Sequence, residues 1–255
     1  MKAIGLQFED VKGLSEDGKV VDLNKDFKWY INLKDKDAKG EYIKYERVTD
    51  LMGDKPFETA KLKSSQIIGT GIDNLIRDFF DPARLTMENR ADYALTQEAF
   101  DMFLPTLQEF KKSIAGQTVV SSGIVLFDKT TKRAGTVDLI TYDQQGAVRI
   151  FDIKTMLYDP STGTNYDSTA VFEPVVGVLK SDGSQKFVKV KGAQDSSRIK
   201  HQKQLSAYRI ILNNTHGILA EELFVVPIKV DYKGGDKVAN SAEFLKSIKI
   251  LPLNK

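Results

Sequence analysis

The chain has 255 residues, of which 41% are hydrophobic and 28% charged, and its formal net charge is +2 at pH 7. This length is enough for one large domain with a hydrophobic core, and the small charge does not by itself favour a nucleic-acid partner. The lack of cysteine excludes disulfides, thiolate metal sites and cysteine nucleophiles, and two histidines exclude a polyhistidine site. Since no apolar run has the length of a membrane span or a signal-peptide core, we expect a soluble, cytoplasmic protein.

The first part of the chain predicts short strands followed by helices. Residues 29–33 and 42–45 are rich in aromatic and β-branched residues and flank a charged turn, so we expect residues 1–46 to form a β-rich extension. Thr70 is a suitable N-cap for a helix whose apolar residues at 72, 75, 76 and 79 share one face. A second amphipathic helix is predicted over 96–114, with a bend at Pro105.

A strand over 118–127 precedes a predicted hairpin, in which strands at 136–142 and 148–153 flank the turn 143–146. Because strand side chains alternate between faces, Asp152 and Lys154 project to one face, and Asp138 can meet them across the hairpin. This group is either a surface ion pair or a divalent metal site that holds a hydroxide beside a phosphate. An acid among apolar residues on a buried strand is costly unless it is paired or metal-bound, which favours the second interpretation.

The rest of the chain completes an α/β pattern. Residues 158–195 are interpreted as an insertion with a hairpin turn at 181–184 and a strand at 187–191, followed by a helix over 196–212 that ends at Asn213–Asn214. A core strand is predicted at 223–226, with Pro227 at its exit, and a short amphipathic helix at 242–248. This order favours a single domain over 1–255 with a mixed sheet. The chain has neither a GxxxxGK[ST] phosphate loop nor a nucleophile elbow, so we expect neither P-loop nucleotide hydrolysis nor Ser/His/Asp catalysis.

Four motifs occur in a fixed order along the chain. They are GTGID at 69–73, GTVDLI at 135–140, FDIKT at 151–155 and QLSAY at 204–208. In this order they resemble the helix start, the two active-site strands and the QxxxY helix of the PD-(D/E)XK nuclease superfamily, most closely its RecB-like and phage-exonuclease branch. The resemblance covers about residues 47–208. It implies a restriction-endonuclease-like core, with a central mixed β-sheet flanked by helices.

The resemblance implies a metal-dependent DNA exonuclease of phage or bacterial recombination, repair or replication. Mg²⁺ or Mn²⁺, which prefer oxygen ligands, would be held by Asp138, Asp152 and the backbone carbonyl of Ile153. Lys154 would position the attacking water or stabilise charge on the phosphate. Gln204 and Tyr208, four residues apart on one helix face, would approach the substrate. The further candidates are Asp73 for the metal and Thr70, Lys200 and Lys203 for DNA.

The chain departs from the family pattern at two positions. Asp73 stands where RecB-like members have histidine, and it is either a metal ligand or an acid favoured by a helix start. The strand before the hairpin lacks the usual glutamate, and Glu109 is either its substitute or part of a solvated helix face. A cluster of cations is likewise either a solvated face or a surface that follows phosphates: Lys180, Lys186, Lys189, Lys191, Arg198, Lys200 and Lys203.

Two alternatives to an exonuclease stay open. The first is a structure-specific endonuclease on the same fold, and the second is a nuclease-fold module that has lost catalysis and binds nucleic acid or a partner protein. For either nuclease the expected partner is DNA, single- or double-stranded, and a membrane is expected in none of the cases. A homo-oligomer or a recombination or replication partner protein is compatible with the sequence.

Overall fold

The computed structural model describes residues 10–23, 25–52, 71–72, 74–81, 97–158, 175–179, 185–189, 194–231 and 241–253. These residues form a mixed α/β structure, in which a large mixed sheet is flanked by few helices. The helices are α1, whose described residues are 71–72 and 74–79, α2 (Gln97–Ser113), α3 (Gln194–His216) and a 3₁₀ helix (Val48–Met52). The strands are β1 (Val11–Leu14), β2 (Val20–Val21), β3 (Trp29–Asn32), β4 (Tyr45–Arg47), β5 (Thr118–Asp128), β6 (Arg133–Tyr142), β7 (Val148–Tyr158), β8 (Val175–Leu179), β9 (Gln185–Lys189), β10 (Ala220–Asp231), β11 (Ser241–Phe244) and β12 (Ile248–Ile250).

The large sheet runs in the order β11–β10–β7–β6–β4–β3–β1–β2, with β12 also paired to β10 and β5 also paired to β6. The strands β7 and β10 are parallel, as are β4 and β6, whereas β5, β6 and β7 are successively antiparallel. The N-terminal strands predicted as an extension therefore continue the central sheet through β4. As a result, they form part of the surroundings of the hairpin.

Both faces of the central strands carry buried apolar side chains, as expected for strands that are covered on both sides. On one face Ile150 and Val225 pack with Leu205 and Ile211 of α3 in one hydrophobic core. On the other face Phe151 belongs to a second core that includes residues of α1 and α2. Because successive strand side chains alternate, one strand supplies both cores, and Asp152 lies on the same side as Ile150, towards α3.

Several predicted elements are confirmed, and some extend further than predicted. The helix predicted to follow Thr70 and the helix predicted over 96–114 are present as α1 and α2. The strands β8 and β9 pair antiparallel, as in the predicted hairpin, whose turn at 181–184 lies outside the described residues. The helix α3 continues past Asn213 and Asn214 to His216. Two hydrogen bonds fasten this last turn to the end of β5: Asn214 donates to Asp128 at 2.8 Å, and Thr215 donates to the carbonyl of Phe127 at 2.5 Å.

The predicted closing helix at 242–248 is wrong. Residues 241–244 and 248–250 are the strands β11 and β12, which pair antiparallel with β10. The exit predicted at Pro227 is also wrong, because β10 continues through it to Asp231. Pairing along β10 satisfies the backbone of these short segments, and this outweighs their helix-like spacing of apolar residues. No helix among the described residues is long and apolar enough to cross a bilayer.

Candidate active site

The candidate site lies where β6 and β7 separate. Pairing between these strands runs from Tyr142–Val148 to Leu139–Phe151, and β6 pairs with β4 only at Arg133 and Ala134. Between these two paired stretches, residues of β6 border a cavity of about 390 Å³. Continuing the hairpin register by one residue places Asp138 opposite Asp152, and opposite residues of an antiparallel pair share a face. The predicted meeting of these two acids therefore follows from the topology.

A short hydrogen bond joins the two strands at this point. The backbone N–H of Ile153 donates to Oδ2 of Asp138 at 2.6 Å, and the ammonium of Lys154 donates to Oδ1 of Asp152 at 2.8 Å. All four of these residues line the cavity. Asp152 is only 2% exposed, so its carboxylate is held in a largely desolvated position beside a cation.

The helix α3 contributes the third part of the site. The side-chain amide of Gln204 donates to Oδ1 of Asp152 at 3.2 Å and to the hydroxyl of Tyr208 at 3.0 Å. The pKa of Tyr208 is raised well above its ordinary value, mainly by burial and secondly by the negative charge of Asp152. This hydroxyl therefore stays protonated. The ring of His201 lies on the same helix, with Nδ1 3.8 Å from Oδ2 of Asp152. Gln204 and Tyr208, the residues predicted to approach the substrate, thus form a hydrogen-bonded chain that ends on Asp152.

The N-terminal strands and the 3₁₀ helix form another wall of the cavity, which includes Tyr30, Arg47 and Thr49. The hydroxyl of Tyr30 lies 3.2 Å from Oγ1 of Thr136 on β6. The guanidinium of Arg47 is anchored by Asp50 at 2.8 Å and by a backbone carbonyl at 3.2 Å. This wall therefore has fixed side chains and a defined shape.

Gly135 allows α3 to approach β6 at the rim of the site. A Cβ atom at this position would lie 2.8 Å from Cε1 of Tyr208 and 3.0 Å from Cβ of Val48. Real Cβ atoms do not approach other atoms as closely as 2.8 Å. The glycine is thus required by the position of Tyr208 and not by the conformation of the strand.

The polar groups around Asp152 fit a hard divalent cation. Among the described residues, Oδ2 of Asp152 and Oε1 of Gln204 are buried and accept no hydrogen bond. A buried carboxylate oxygen without a donor is costly, and a cation would satisfy it. No group of three or more His, Asp or Glu side chains in the described part of the chain could hold a metal. Two carboxylates, a carbonyl and water nevertheless suffice for Mg²⁺, which usually retains several waters.

The remaining predicted residues lie in different places. Thr70 and Asp73 are outside the described residues. Lys200 is exposed on α3 and does not line the cavity, and Lys203 lines a second cavity of about 410 Å³ beside Ser206 and Ile210. Among the remaining cations of the cluster, Arg198 is exposed, Lys186 and Lys189 are described only as strand residues, and Lys180 and Lys191 lie outside the described residues.

Glu109, considered as a substitute metal ligand, is exposed on α2 and does not line the cavity. Its interpretation as part of a solvated face is therefore the one that the structure favours. On β5, the position nearest the cavity is Gly123, which carries no side chain at all. The acid that the family pattern places on this strand thus has no counterpart on this stretch of β5.

Sequence reasoning missed several residues of the site. His201 precedes Gln204 by one helical turn, and this i, i+3 spacing places both on the same face. Tyr30, Arg47 and Arg77 carry no such signal, because they reach the cavity only through the pairing of the N-terminal strands and the packing of α1.

No family model matches this chain, and no curated protein matches it.

Proposed function

We propose that this protein is a metal-dependent DNA exonuclease built on a restriction-endonuclease-like core. The single observation that carries the proposal is the convergence of Asp138, Asp152 and Lys154 on one cavity, with a buried carboxylate oxygen that accepts no hydrogen bond from a described residue. Hydrolysis of a phosphodiester needs an activated water and neutralisation of charge on the phosphate. The carboxylates would hold the metal ion that activates the water, and the lysine in contact with Asp152 would help to neutralise charge on the phosphate.

Each residue has a role that follows from its contacts. Asp138, Asp152 and the carbonyl of Ile153 would hold Mg²⁺ or Mn²⁺, which when bound lowers the pKa of a coordinated water and offsets charge on the phosphate. Lys154, already hydrogen-bonded to Asp152, places its ammonium beside this carboxylate, where it can orient a water or bind a phosphate oxygen. Gln204 holds Asp152 in one orientation through its amide. Tyr208 in turn fixes the orientation of that amide.

The setting of this activity is also part of the proposal. The expected substrate is single- or double-stranded DNA in phage or bacterial recombination, repair or replication, in the cytoplasm. The cavity is bounded on several sides by β6, β7, α3 and the N-terminal strands, as a site that receives a strand end would be. The preference for an exonuclease over an endonuclease rests on the resemblance of the four motifs to the RecB-like and phage-exonuclease branch.

The test is degradation of end-labelled linear DNA in the presence of Mg²⁺ by the wild type and by Lys154→Ala. We expect release of nucleotides by the wild type, abolition by chelation of the metal, and a large loss in the variant. Equal activity of both proteins would remove the role of Lys154. Cleavage of closed circular DNA at a similar rate would favour the structure-specific endonuclease.

A second candidate function is favoured by one observation, namely the absence of an acid from the stretch of β5 that borders the cavity, where Gly123 lies. A nuclease-fold module that binds nucleic acid without cleaving it needs no such acid. Calorimetry separates the two functions. Binding of DNA without binding of Mg²⁺ or Mn²⁺ would support the binding module.

A further inference from the structure

Arg77 reaches the candidate active site by passing over the backbone of β5. It belongs to α1, and it lines the same cavity as Asp138, Asp152 and Lys154. Its side chain lies against Gly123, where an added Cβ would be 2.5 Å from Cγ of Arg77 and 2.7 Å from its Cδ. The arginine therefore occupies space that any larger residue at this position of β5 would take.

The position of Arg77 is fixed at three points. The hydroxyl of Ser122 donates to the backbone carbonyl of Arg77 at 2.5 Å, which ties α1 to β5. The guanidinium Nε donates to Oδ1 of Asp78 at 3.0 Å, and Asp78 is only 5% exposed. The third point is the packing of the side chain of Arg77 against Gly123. The φ of Gly123 is +58°, a conformation that few residues other than glycine adopt. These contacts align the side chain before any ligand binds.

The charged groups on two sides of the cavity determine what the aligned side chain of Arg77 can bind. The β7 side of the cavity carries Asp152, whose charge is balanced by Lys154 and would be balanced further by a divalent cation. On the β5 side, the residue that borders the cavity is a glycine overlaid by a cationic side chain. An anionic group that enters the cavity would thus meet the guanidinium of Arg77, which is ion-paired with Asp78 through Nε, on the β5 side and the ammonium of Lys154 on the β7 side.

We propose that Arg77, held over Gly123, is a substrate-binding residue that contacts a phosphate group of the DNA in the cavity. This inference rests on the proposed function and specifies how the substrate is held. A guanidinium suits the role because its planar array of donors matches phosphate oxygens. Gly123 is the positioning residue, since its missing side chain makes room for the arginine.

Arg47 provides a useful contrast on the opposite wall. Its guanidinium is anchored to Asp50 through Nε and Nη2 and to the carbonyl of Phe27 through Nη1, so its contacts join the N-terminal strands to the 3₁₀ helix. A structural role accounts for these bonds. Arg149 lies outside the cavity, paired with Asp143 at 2.8 Å and Glu222 at 2.6 Å, and it provides the matched control for the loss of one arginine.

The experiment measures binding of a short fluorescent DNA duplex by anisotropy, with Ca²⁺ replacing Mg²⁺ to prevent cleavage, at several salt concentrations. For Arg77→Ala we expect the Kd to rise by about 10- to 100-fold, as for loss of a charge-assisted hydrogen bond. The slope of log K against log salt should fall by about 0.9, which corresponds to one phosphate contact. Arg77→Lys should fall between wild type and Arg77→Ala, and Arg149→Ala should bind as the wild type does.

A double-mutant cycle tests the arrangement over Gly123. Gly123→Ala is expected to weaken DNA binding in the wild-type background, because the new Cβ displaces the arginine stem. In the Arg77→Ala background the same change should raise the Kd far less, since Cγ and Cδ are gone and only the 2.9 Å contact with Cβ of residue 77 remains. The backbone strain at Gly123 affects the free energy of unfolding in both backgrounds, and urea unfolding records it separately.

The outcomes separate this inference from the proposed function. If the wild type binds and cleaves DNA but Arg77→Ala retains both its Kd and its salt slope, the assignment of Arg77 is overturned and the exonuclease proposal stands. If the wild type neither binds nor cleaves DNA, both are overturned. Should Arg77→Ala fail to fold, Arg77→Lys, which keeps the packed stem, and Gly123→Ala decide the question.

Discussion

Substitution of Gly135 by alanine probes the contact between β6 and α3 that shapes the candidate site. The new Cβ would lie 2.8 Å from Cε1 of Tyr208, on a ring that is only 2% exposed. Because the ring is enclosed and hydrogen-bonded to Gln204, it cannot turn towards solvent. Either β6 or the helix must therefore move.

The expected magnitude follows from two opposing effects. Added volume in a packed core typically costs about 1–3 kcal/mol. Replacing a strand glycine by alanine restores about 0.5–1 kcal/mol, because the unfolded chain loses conformational freedom. We therefore expect Gly135→Ala to lower the free energy of unfolding by about 1–2 kcal/mol.

The assay is urea unfolding of four proteins: the wild type, Gly135→Ala, Tyr208→Leu and the double variant. Leucine lacks the Cε1 atom, so the cost of Gly135→Ala should be smaller by about 1 kcal/mol in the Tyr208→Leu background. If Gly135→Ala is as stable as the wild type, or if its cost is the same in both backgrounds, the explanation of Gly135 by close packing is refuted.

Three further outcomes are expected. Burial raises the pKa of Asp128, but hydrogen bonds from Asn214, Thr131 and Thr130 outweigh it and lower this pKa below 3.8. Asp128→Asn should therefore lower the free energy of unfolding by about 2 kcal/mol at pH 7. In urea unfolding, this difference from the wild type should vanish as the pH falls through the lowered pKa. Burial lowers the pKa of His216 below 6.5, so the unfolded chain binds the proton more readily than the folded protein does. The free energy of unfolding of the wild type should therefore fall as the pH falls below about 6.5. His216→Gln should remove this part of the pH dependence, and a variant with the pH profile of the wild type would contradict this explanation. Asp138→Asn should lower Mg²⁺-dependent DNA degradation by at least about 100-fold, whereas Glu109→Gln, exposed on α2, should leave it unchanged.

The parts of the fold that sequence reasoning predicts are those with strong local periodicity. The helices α1 and α2 show apolar residues at helical spacing, and the hairpin of β6 and β7 has an obvious turn that ends in Gly146 with a φ of +87°. The proximity of Asp138 and Asp152 could be predicted from the sequence because the antiparallel register of the hairpin places them opposite each other. In each case, residues close in sequence determine the structure.

The incorrect predictions concern segments whose structure depends on distant partners. Residues 242–248 have helix-like spacing, but β10 offers an edge on which 241–244 and 248–250 pair as strands. Likewise Pro227 lies within β10, opposite Lys154 in the parallel register. Neither the edge nor the register is visible in the local sequence.

The same distinction applies to the candidate site. Lys154, Gln204 and Tyr208 are identified by spacing within a single strand or helix. The wall opposite depends on tertiary packing: Arg77 reaches the cavity only because Gly123 leaves room for it, and Arg47 only because β4 joins the sheet. Spacing in the sequence cannot reveal contacts between segments that are brought together by folding.

The most direct test of the central claim is a crystal soaked in Mn²⁺, with anomalous scattering recorded at the manganese edge. We expect one strong anomalous peak from a Mn²⁺ ion bound by the carboxylates of Asp138 and Asp152 and by the carbonyl of Ile153, and loss of this peak in a crystal of Asp152→Asn. No peak at this position in the wild type, with Mn²⁺ bound elsewhere or not at all, would contradict it.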